Sequence, residues 1–321
     1  MSPEKERKES FRVEDSDKGA RIDVALALRV PDVSRAQAKR WIEEGRVTVD
    51  GRPVRASRIC REGERVEVLI PPPVPATPVP EAIPLDILYE DRSIVVVNKP
   101  AGMVVHPAPG HSSGTLVNAL LAHTADLSGI GGVMRPGIVH RLDSGTSGVM
   151  VVAKNDRAHR SLQSQFQKRS VSKVYLALAH GTPPERFAID RPIGRDVLHR
   201  TKISSRTRSP REAMSEVKRL EKLPGCSLLE IRIHTGRTHQ IRVHLSEEGH
   251  PLVGDRDYGA PGNAIRPLRD FARPALHAFR LGFLHPESGE VVGFEAPLPE
   301  DFASLLEHLR ALRDGKKIAG G

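Results

Sequence analysis

The chain reads as an α+β protein of two domains, a small one followed by a large one, and three features point to this. Its 321 residues suffice for one large core and a second, small one. The stretch Pro71-Pro-Pro-Val-Pro-Ala-Thr-Pro-Val-Pro80 holds too many prolines for a helix or a central strand, so residues 71–82 are expected to form a stiff, extended linker. On both sides of it, apolar residues recur with helical spacing in some segments and alternate with a period of two in others.

Composition narrows the function classes. Hydrophobic content of 38% beside 28% charged residues describes a soluble globular protein. No apolar run approaches the length of a membrane span, and Met1 to Ser10 is charged, so neither membrane insertion nor secretion is expected and the chain is placed in the cytoplasm. Cys60 and Cys226 lie in unrelated segments, which offers neither a disulfide framework nor a zinc site. A net charge of +9 points to a polyanionic partner, because clustered Lys and Arg release counterions from phosphates. With only 4% aromatic residues, an aromatic platform for stacking bases is not expected.

Residues 1–12 form a charged leader, expected to be disordered. From Val13, the residues Ile22, Ala25, Leu26 and Leu28 to Val30 fit a short helix, and Ser34-Arg-Ala-Gln37 is a capping box opening a second. Ala38, Trp41 and Ile42 share one face of that helix, and Gly45 ends it. Val47-Thr-Val49 then runs into Asp50-Gly51, a strong hairpin turn, and Val66 to Ile70 supplies another strand. The basic residues Arg35, Lys39, Arg40 and Arg46, with Arg52, Arg55 and Arg58, either line one phosphate-gripping surface or are scattered surface charge. Two helices followed by a small basic hairpin resemble the S4 RNA-binding domain over residues 13–70.

The large domain is expected over residues 83–313. Ile94 to Val97 reads as a buried strand ending in Asn98-Lys99-Pro100-Ala101-Gly102. Leu116, Leu120 and Leu121 mark one helix, and Ala158, Leu162 and Phe166 another after Asn155-Asp156. Between the helices, Arg135 to Lys154 reads as strand, loop, strand, with Arg141 and Asp143 in a tight Gly/Ser/Thr turn between apolar runs. Gly145 and Gly148 permit close backbone approach there, which makes Asp143 the first candidate for chemistry; the plainer alternative is an Asp that bonds its own turn. Further on, Val174, Leu176 and Leu178 share one face of a strand and leave Tyr175 beside Lys173 on the other. Ser227 to Ile233 is a strand leading into His234 to Leu245, where Thr238 is placed to cap a helix with Ile241 and Leu245 inward and Arg242 elsewhere. His234, His239 and His244 lack the spacing of a zinc helix, so no metal is expected. Phe302, Leu305, Leu306, Leu309 and Leu312 make a closing amphipathic helix, and residues 314–321 are expected to be a flexible tail.

The segment His140-Arg141-Leu142-Asp143, followed by Thr146-Ser147-Gly148 and a β-branched run, resembles the catalytic signature of the RluA/RluD family of RNA pseudouridine synthases. Ser144-Gly145 stands where that family usually carries a charged pair. Lys173-x-Tyr175-x-Ala177 is similar to the second family motif, Thr235 to Leu245 with Gly249 to Gly259 to the third, and Asn98 to Gly102 to a further family turn. The resemblance covers nearly the whole chain after residue 12. It implies a mixed, mainly antiparallel sheet with helices around it and an active site in a central cleft. It implies that Asp143 works at the sugar, Arg242 pairs with Asp143, and Tyr175 acts as base or pocket wall. His140, Arg141, Arg237, Thr238, His239 and Gln240 are then the expected RNA contacts. No cofactor is implied, a monomer is expected, and the S4 layout is most similar to the RluD branch, which acts on 23S ribosomal RNA of the large subunit. Two other readings use the same residues differently. One is a noncatalytic S4-type RNA-binding or ribosome-assembly factor; the other is a base-removing glycosidase using Asp255 and Asp257.

Overall fold

A computed structural model describes residues 6–31, 33–71, 78–107, 111–124, 127–129, 135–199, 201–259 and 265–315. Most of the linker core, 72–77, and the tail from 316 lie outside the described residues. The chain divides into two compact units, 1–76 and 77–321. No helix among the described residues is long and apolar enough to cross a membrane.

In the first unit the expected leader is corrected: Arg7–Arg12 is a strand, β1. Helices α1 (Ile22–Arg29) and α2 (Arg35–Glu43) follow, then β2 (Val47–Val49), β3 (Arg52–Pro53) and β4 (Arg65–Ile70), in the sheet order β1-β4-β2-β3. Strand β1 pairs along the whole of β4, from Arg7 opposite Ile70 to Arg12 opposite Arg65. A leader so poor in apolar residues can still be ordered because strand pairing draws on backbone groups, and one apolar side chain, Phe11, packs on the core of Val13, Ile22, Leu26, Trp41 and Val66. The capping box of α2 is made as read, with Ser34 N donating to Gln37 Oε1 at 2.9 Å and Gln37 N to Ser34 Oγ at 3.3 Å. Asp50 and Gly51 both take positive φ, 49° and 73°, as a two-residue hairpin turn requires.

The second unit takes in the end of the expected linker. Asn118, buried in the helix Leu116–His123, donates to Val79 O at 2.8 Å and its carbonyl accepts from Glu81 N at 3.0 Å, so residues 79–81 belong to the large domain. Its elements run β5 (Asp86–Glu90), β6 (Ile94–Lys99), α3 (Leu116–His123), β7 (Ser147–Ala153), α4 (Asp156–Gln167), β8 (Ser172–His180), β9 (Arg186–Asp190), β10 (Gly194–Arg195), β11 (Ile203–Ser204), β12 (Met214–Leu223), β13 (Cys226–Ile233), α5 (Gln240–Glu247), α6 (Arg266–Asp270), β14 (Leu276–Leu284), β15 (Val291–Glu295) and α7 (Glu300–Arg313). The main sheet has the order β5-β6-β7-β14-β8-β13-β12-β9, with β15 paired to β14. Among the described residues only β7 and β14 pair in parallel, so the sheet is mixed and mainly antiparallel, as the resemblance implies.

That parallel seam positions the site. At Gly148, φ is +118°, and a Cβ there would sit 2.2 Å from Ala278 O, so only a glycine lets the backbones of β7 and β14 close up. The Asp143 turn ends one residue before β7 and is therefore delivered at the seam, where Ser147 Oγ and His277 Nδ1 meet at 2.9 Å.

Helix α5 differs from expectation. It begins at Gln240, with His239 at the N-cap in the left-handed region (φ 56°), and Thr238 makes no cap. The buried Gln240 amide outcompetes the threonine: its Oε1 accepts from Thr235 Oγ1 (2.8 Å) and Arg237 N (3.1 Å), which folds the incoming loop onto the helix end.

Candidate active site

The turn around Asp143 is held by its main chain. Thr146 N donates to Asp143 O at 3.0 Å, and Gly102 N to Ser144 O at 2.8 Å. Two basic side chains take the next carbonyl contacts, Lys99 Nζ on Ser144 O (3.3 Å) and Arg273 on Gly145 O (3.2 Å). The Asp143 carboxylate makes no hydrogen bond to its own turn among the described residues, which removes the plainer reading of this Asp. The imidazole Nε2 of His239 lies 3.8 Å from it.

Asp143 stands between two openings. A cleft of about 520 Å³ is lined by Arg141, Asp143, Tyr175, Arg237, His239 and Arg242, among others. A cavity of about 420 Å³ shares Arg141, Asp143, His239 and Arg242 and adds His106, His111 and Asp257. Tyr175, on β8, packs between two apolar clusters while facing the cleft. Burial, with the charge of Asp143 adding, pushes its phenol well above the ordinary tyrosine value, so it stays protonated and is better suited to wall and donor than to base.

Arg242 overturns one expectation. It is buried, and its guanidinium pairs with Asp255 through Nε and Nη2, both at 2.7 Å, and with Asp257 at 2.7 Å, rather than directly with Asp143. Burial works against its charge, but the two carboxylates and the nearby Asp143 raise its pKa regardless. Asp255 also accepts from Asp257 N and Tyr258 N, so it orders its turn. Its carboxylate is therefore engaged with Arg242 and the turn, which leaves the pair poorly placed to flank a glycosidic bond. The sequence could not decide this, because the resemblance pointed to Asp143 and the true partner lies in a turn that follows α5.

Gln240 is a second correction. Besides its two accepted bonds, Nε2 donates to Met214 O (3.0 Å) and Ser215 Oγ (3.1 Å), so its amide is saturated and unavailable to RNA. His140 accepts from Val151 N at 3.1 Å and stacks on Phe166 with centroids 4.6 Å apart. Burial, helped by Lys173, brings its pKa down to about 3, so it is neutral and fastens the turn to β7. Arg141 and Thr238 are exposed at the cleft, and Arg237 donates to Glu212 O at 3.0 Å. His239 bonds Tyr258 OH at 2.9 Å, and burial lowers its pKa although Asp143 pulls it upward. The three histidines do not converge: His234 lies 3.0 Å from Glu216, and His244 sits between Ser215 and Arg191 O.

In the first unit, Arg35 pairs with Asp23 (3.0 Å), Lys39 with Glu43 (3.6 Å), and Arg46 with Glu44 (3.0 Å) and Glu6. Arg40 is exposed and has no ion pair among the described residues. The phosphate-gripping face is thus partly neutralised by the unit's own acids.

Two buried lysines escaped sequence reasoning, which expects lysine at the surface. Lys173 lies on β8 two residues before Tyr175, a spacing that places both on one face, and burial brings its pKa down to about 8. Lys99 is fully buried, and its ammonium donates to Pro100 O, Met103 O and Ser144 O. Burial lowers its pKa from 10.5 to about 7, against the pull of Asp143. Between those two values the unfolded chain binds a proton that the folded chain does not, so this group's contribution to stability rises with pH across the window. Urea titrations from pH 7 to 10 should show that rise in the native chain and a flatter profile in Lys99→Met. Identical profiles would mean that Lys99 keeps an ordinary pKa when folded.

Comparison with known proteins fits this layout. Residues 93–247 match the family model for RNA pseudouridylate synthase, and residues 20–66 the S4 domain. An uncharacterized RNA pseudouridine synthase of Bacillus subtilis is 50% identical over 294 residues, covering 91% of this chain and 95% of that protein. Ribosomal large subunit pseudouridine synthase D of Pseudomonas aeruginosa is 43% identical over 304 residues, covering 92% and 94%. The solved structure of human RNA pseudouridylate synthase domain containing 1 matches with a TM-score of 0.55 at 29% identity, covering 72% of this chain and 96% of its own. Fold, cleft and matches together define an enzyme that modifies RNA and carries an S4 module. The chain belongs to the RNA pseudouridine synthase family.

Proposed function

We propose that this enzyme converts uridines of large-subunit 23S ribosomal RNA to pseudouridine, with Asp143 as the catalytic carboxylate. The observation that carries the assignment of Asp143 is its carboxylate, which takes no hydrogen bond among the described residues and is held between two openings by a turn whose carbonyls are clamped by Lys99 and Arg273. The ribosomal target is supported by the relatives named ribosomal large subunit pseudouridine synthase D.

The reaction breaks the C1′–N1 bond, turns the base and forms C1′–C5; C5 loses a proton and N1 gains one, so the atoms balance without a redox partner. A uridine must leave its stack to reach such a cleft. Asp143 supplies negative charge at C1′. Arg242, anchored by Asp255 and Asp257, fixes one wall of the cleft, and the protonated Tyr175 shapes the pocket and offers a donor to the turning base. The S4 unit holds the RNA backbone, with Arg40, Arg52 and Arg55 exposed and without an ion pair among the described residues, and Arg35, Lys39 and Arg46 reaching phosphate only by giving up their present partners.

Chemical tagging of pseudouridines in 23S RNA from cells with and without the gene tests the target. Discrete positions should lose their tag in the deletion strain. An unchanged 23S map, with losses in another RNA, would overturn the ribosomal assignment and leave the chemistry standing.

A further inference from the structure

Between β9 and β12 the large unit carries an irregular ribbon, residues 193–199 and 201–211. Gly194 pairs with Ser204 and Arg195 with Ile203, and isolated bridges join Ile193 to Arg211 and Asp196 to Thr207. Its root is packed tightly: a Cβ on Gly194 would lie 2.5 Å from Thr207 Oγ1.

The charge on this ribbon is one-sided. Arg195, Arg206, Arg208 and Arg211 are exposed, and none has a carboxylate within ion-pair range among the described residues. Its one acid, Asp196, is buried and turned inward, accepting from Ser204 Oγ (2.6 Å), Leu198 N (2.8 Å) and His199 N (2.7 Å). The Ser204 hydroxyl and these amides hold its pKa down at about 2, so it is spent on the ribbon's own shape. Unmatched exposed arginines occur elsewhere on this unit, Arg157, Arg186 and Arg232 among them, but the ribbon gathers four in one short segment, whereas Arg266 and Arg269 are matched by Asp270 and Arg280 by Glu295. Beside the four unmatched guanidinium groups, Leu198 is 79% exposed.

The ribbon is also tied to the cleft. Ile203 N donates to Tyr258 OH at 2.9 Å, the same hydroxyl meets His239 Nδ1 at 2.9 Å, and Lys202 Nζ donates to Asp257 O. One phenol thus joins the ribbon to a residue lining the cleft, so a polyanion lying along the ribbon would reach the site edge.

We propose that this ribbon is a second RNA-binding element, gripping phosphates beside the cleft through Arg195, Arg206, Arg208 and Arg211, with Leu198 packing on a sugar or base face. It rests on the enzyme's acting on RNA and does not require that the RNA be ribosomal. Phosphate contacts carry no sequence, so the probe is a generic RNA stem-loop and the ribosomal assignment can fail without touching this one.

In the full chain, Arg195→Gln with Arg206→Gln and Arg208→Gln removes three of these cations. Each lost phosphate contact lowers the slope of log affinity against log salt by about 0.7–0.9, so the triple variant should show a slope shallower by roughly 2. Arg266→Gln with Arg269→Gln and Arg280→Gln removes the same charge from matched positions and should leave the slope as it is. Ultraviolet cross-linking of the unaltered chain gives a readout independent of variant folding, and nucleotide adducts should map to the peptide spanning 195–208. An unaltered slope in the first triple variant, or adducts confined to other peptides, overturns the proposal.

Discussion

Asp143→Asn should bind RNA much as the native enzyme does and turn over at least about 10³-fold more slowly. The amide keeps the size of the carboxylate and can still accept a hydrogen bond, but it brings no charge to C1′. Because the turn is closed by main-chain groups and by Lys99 and Arg273 on the neighbouring carbonyls, the loop should keep its shape and the melting temperature should stay close to native. Release of tritium from RNA labelled at uridine C5 follows the reaction directly, since rejoining through C5 expels that hydrogen. Turnover within tenfold of native, once deamidation back to Asp is excluded by mass, would remove Asp143 from the chemistry.

Arg242→Met should cost stability first and activity as a consequence. The substitution keeps most of the volume but strands Asp255, whose side chain is fully buried, without its cation. An uncompensated buried charge costs about 3–5 kcal/mol, which for a domain of this size corresponds to a fall of roughly 10 °C in Tm. Acid should expose a second difference. The hydrogen bond from Arg242 holds the Asp257 carboxyl below its ordinary value of 3.8, so its contribution is present above that value and is lost as pH falls through the lower folded one. The native enzyme should therefore shed stability in this acid range more steeply than Arg242→Met, as read by calorimetry at several pH values. A variant melting within 2–3 °C of native would mean that the buried pair is not the anchor of this wall.

The elements most legible in the sequence are those whose signals are local. The Ser34 capping box, the Asp50-Gly51 turn and the apolar stripes of α3, α4 and α7 are decided within a few residues, and the structure follows them. Strand β1 was not legible because its partner β4 lies beyond two helices and its pairing uses backbone groups that every residue carries. Thr238 carried the right local signal for a cap and lost to Gln240, whose amide is satisfied by Thr235, Met214 and Ser215 from other parts of the chain. The site divides the same way. The motif flags Asp143 and Tyr175, whereas the partners of Arg242, the burial of Lys99 and the ribbon of two-residue strands arise only when distant segments meet.

The place of β14 in the sheet has a consequence for how the molecule is made. This late strand sits between β7 and β8, pairing with one in parallel and with the other antiparallel. Until it leaves the ribosome, the middle of the sheet is missing and the facing edges of β7 and β8 stand unpaired, exposed to wrong pairing. The first unit closes its sheet with strands drawn from its own short stretch and is free to fold while synthesis continues. The large unit must wait for pairings of long sequence separation, which are the slow kind. A nascent chain stopped before Leu276 would therefore hold a finished RNA-binding module joined to an open sheet, its Asp143 turn lacking both the β14 seam beside it and the short segment that carries Arg273 when the stop falls earlier still.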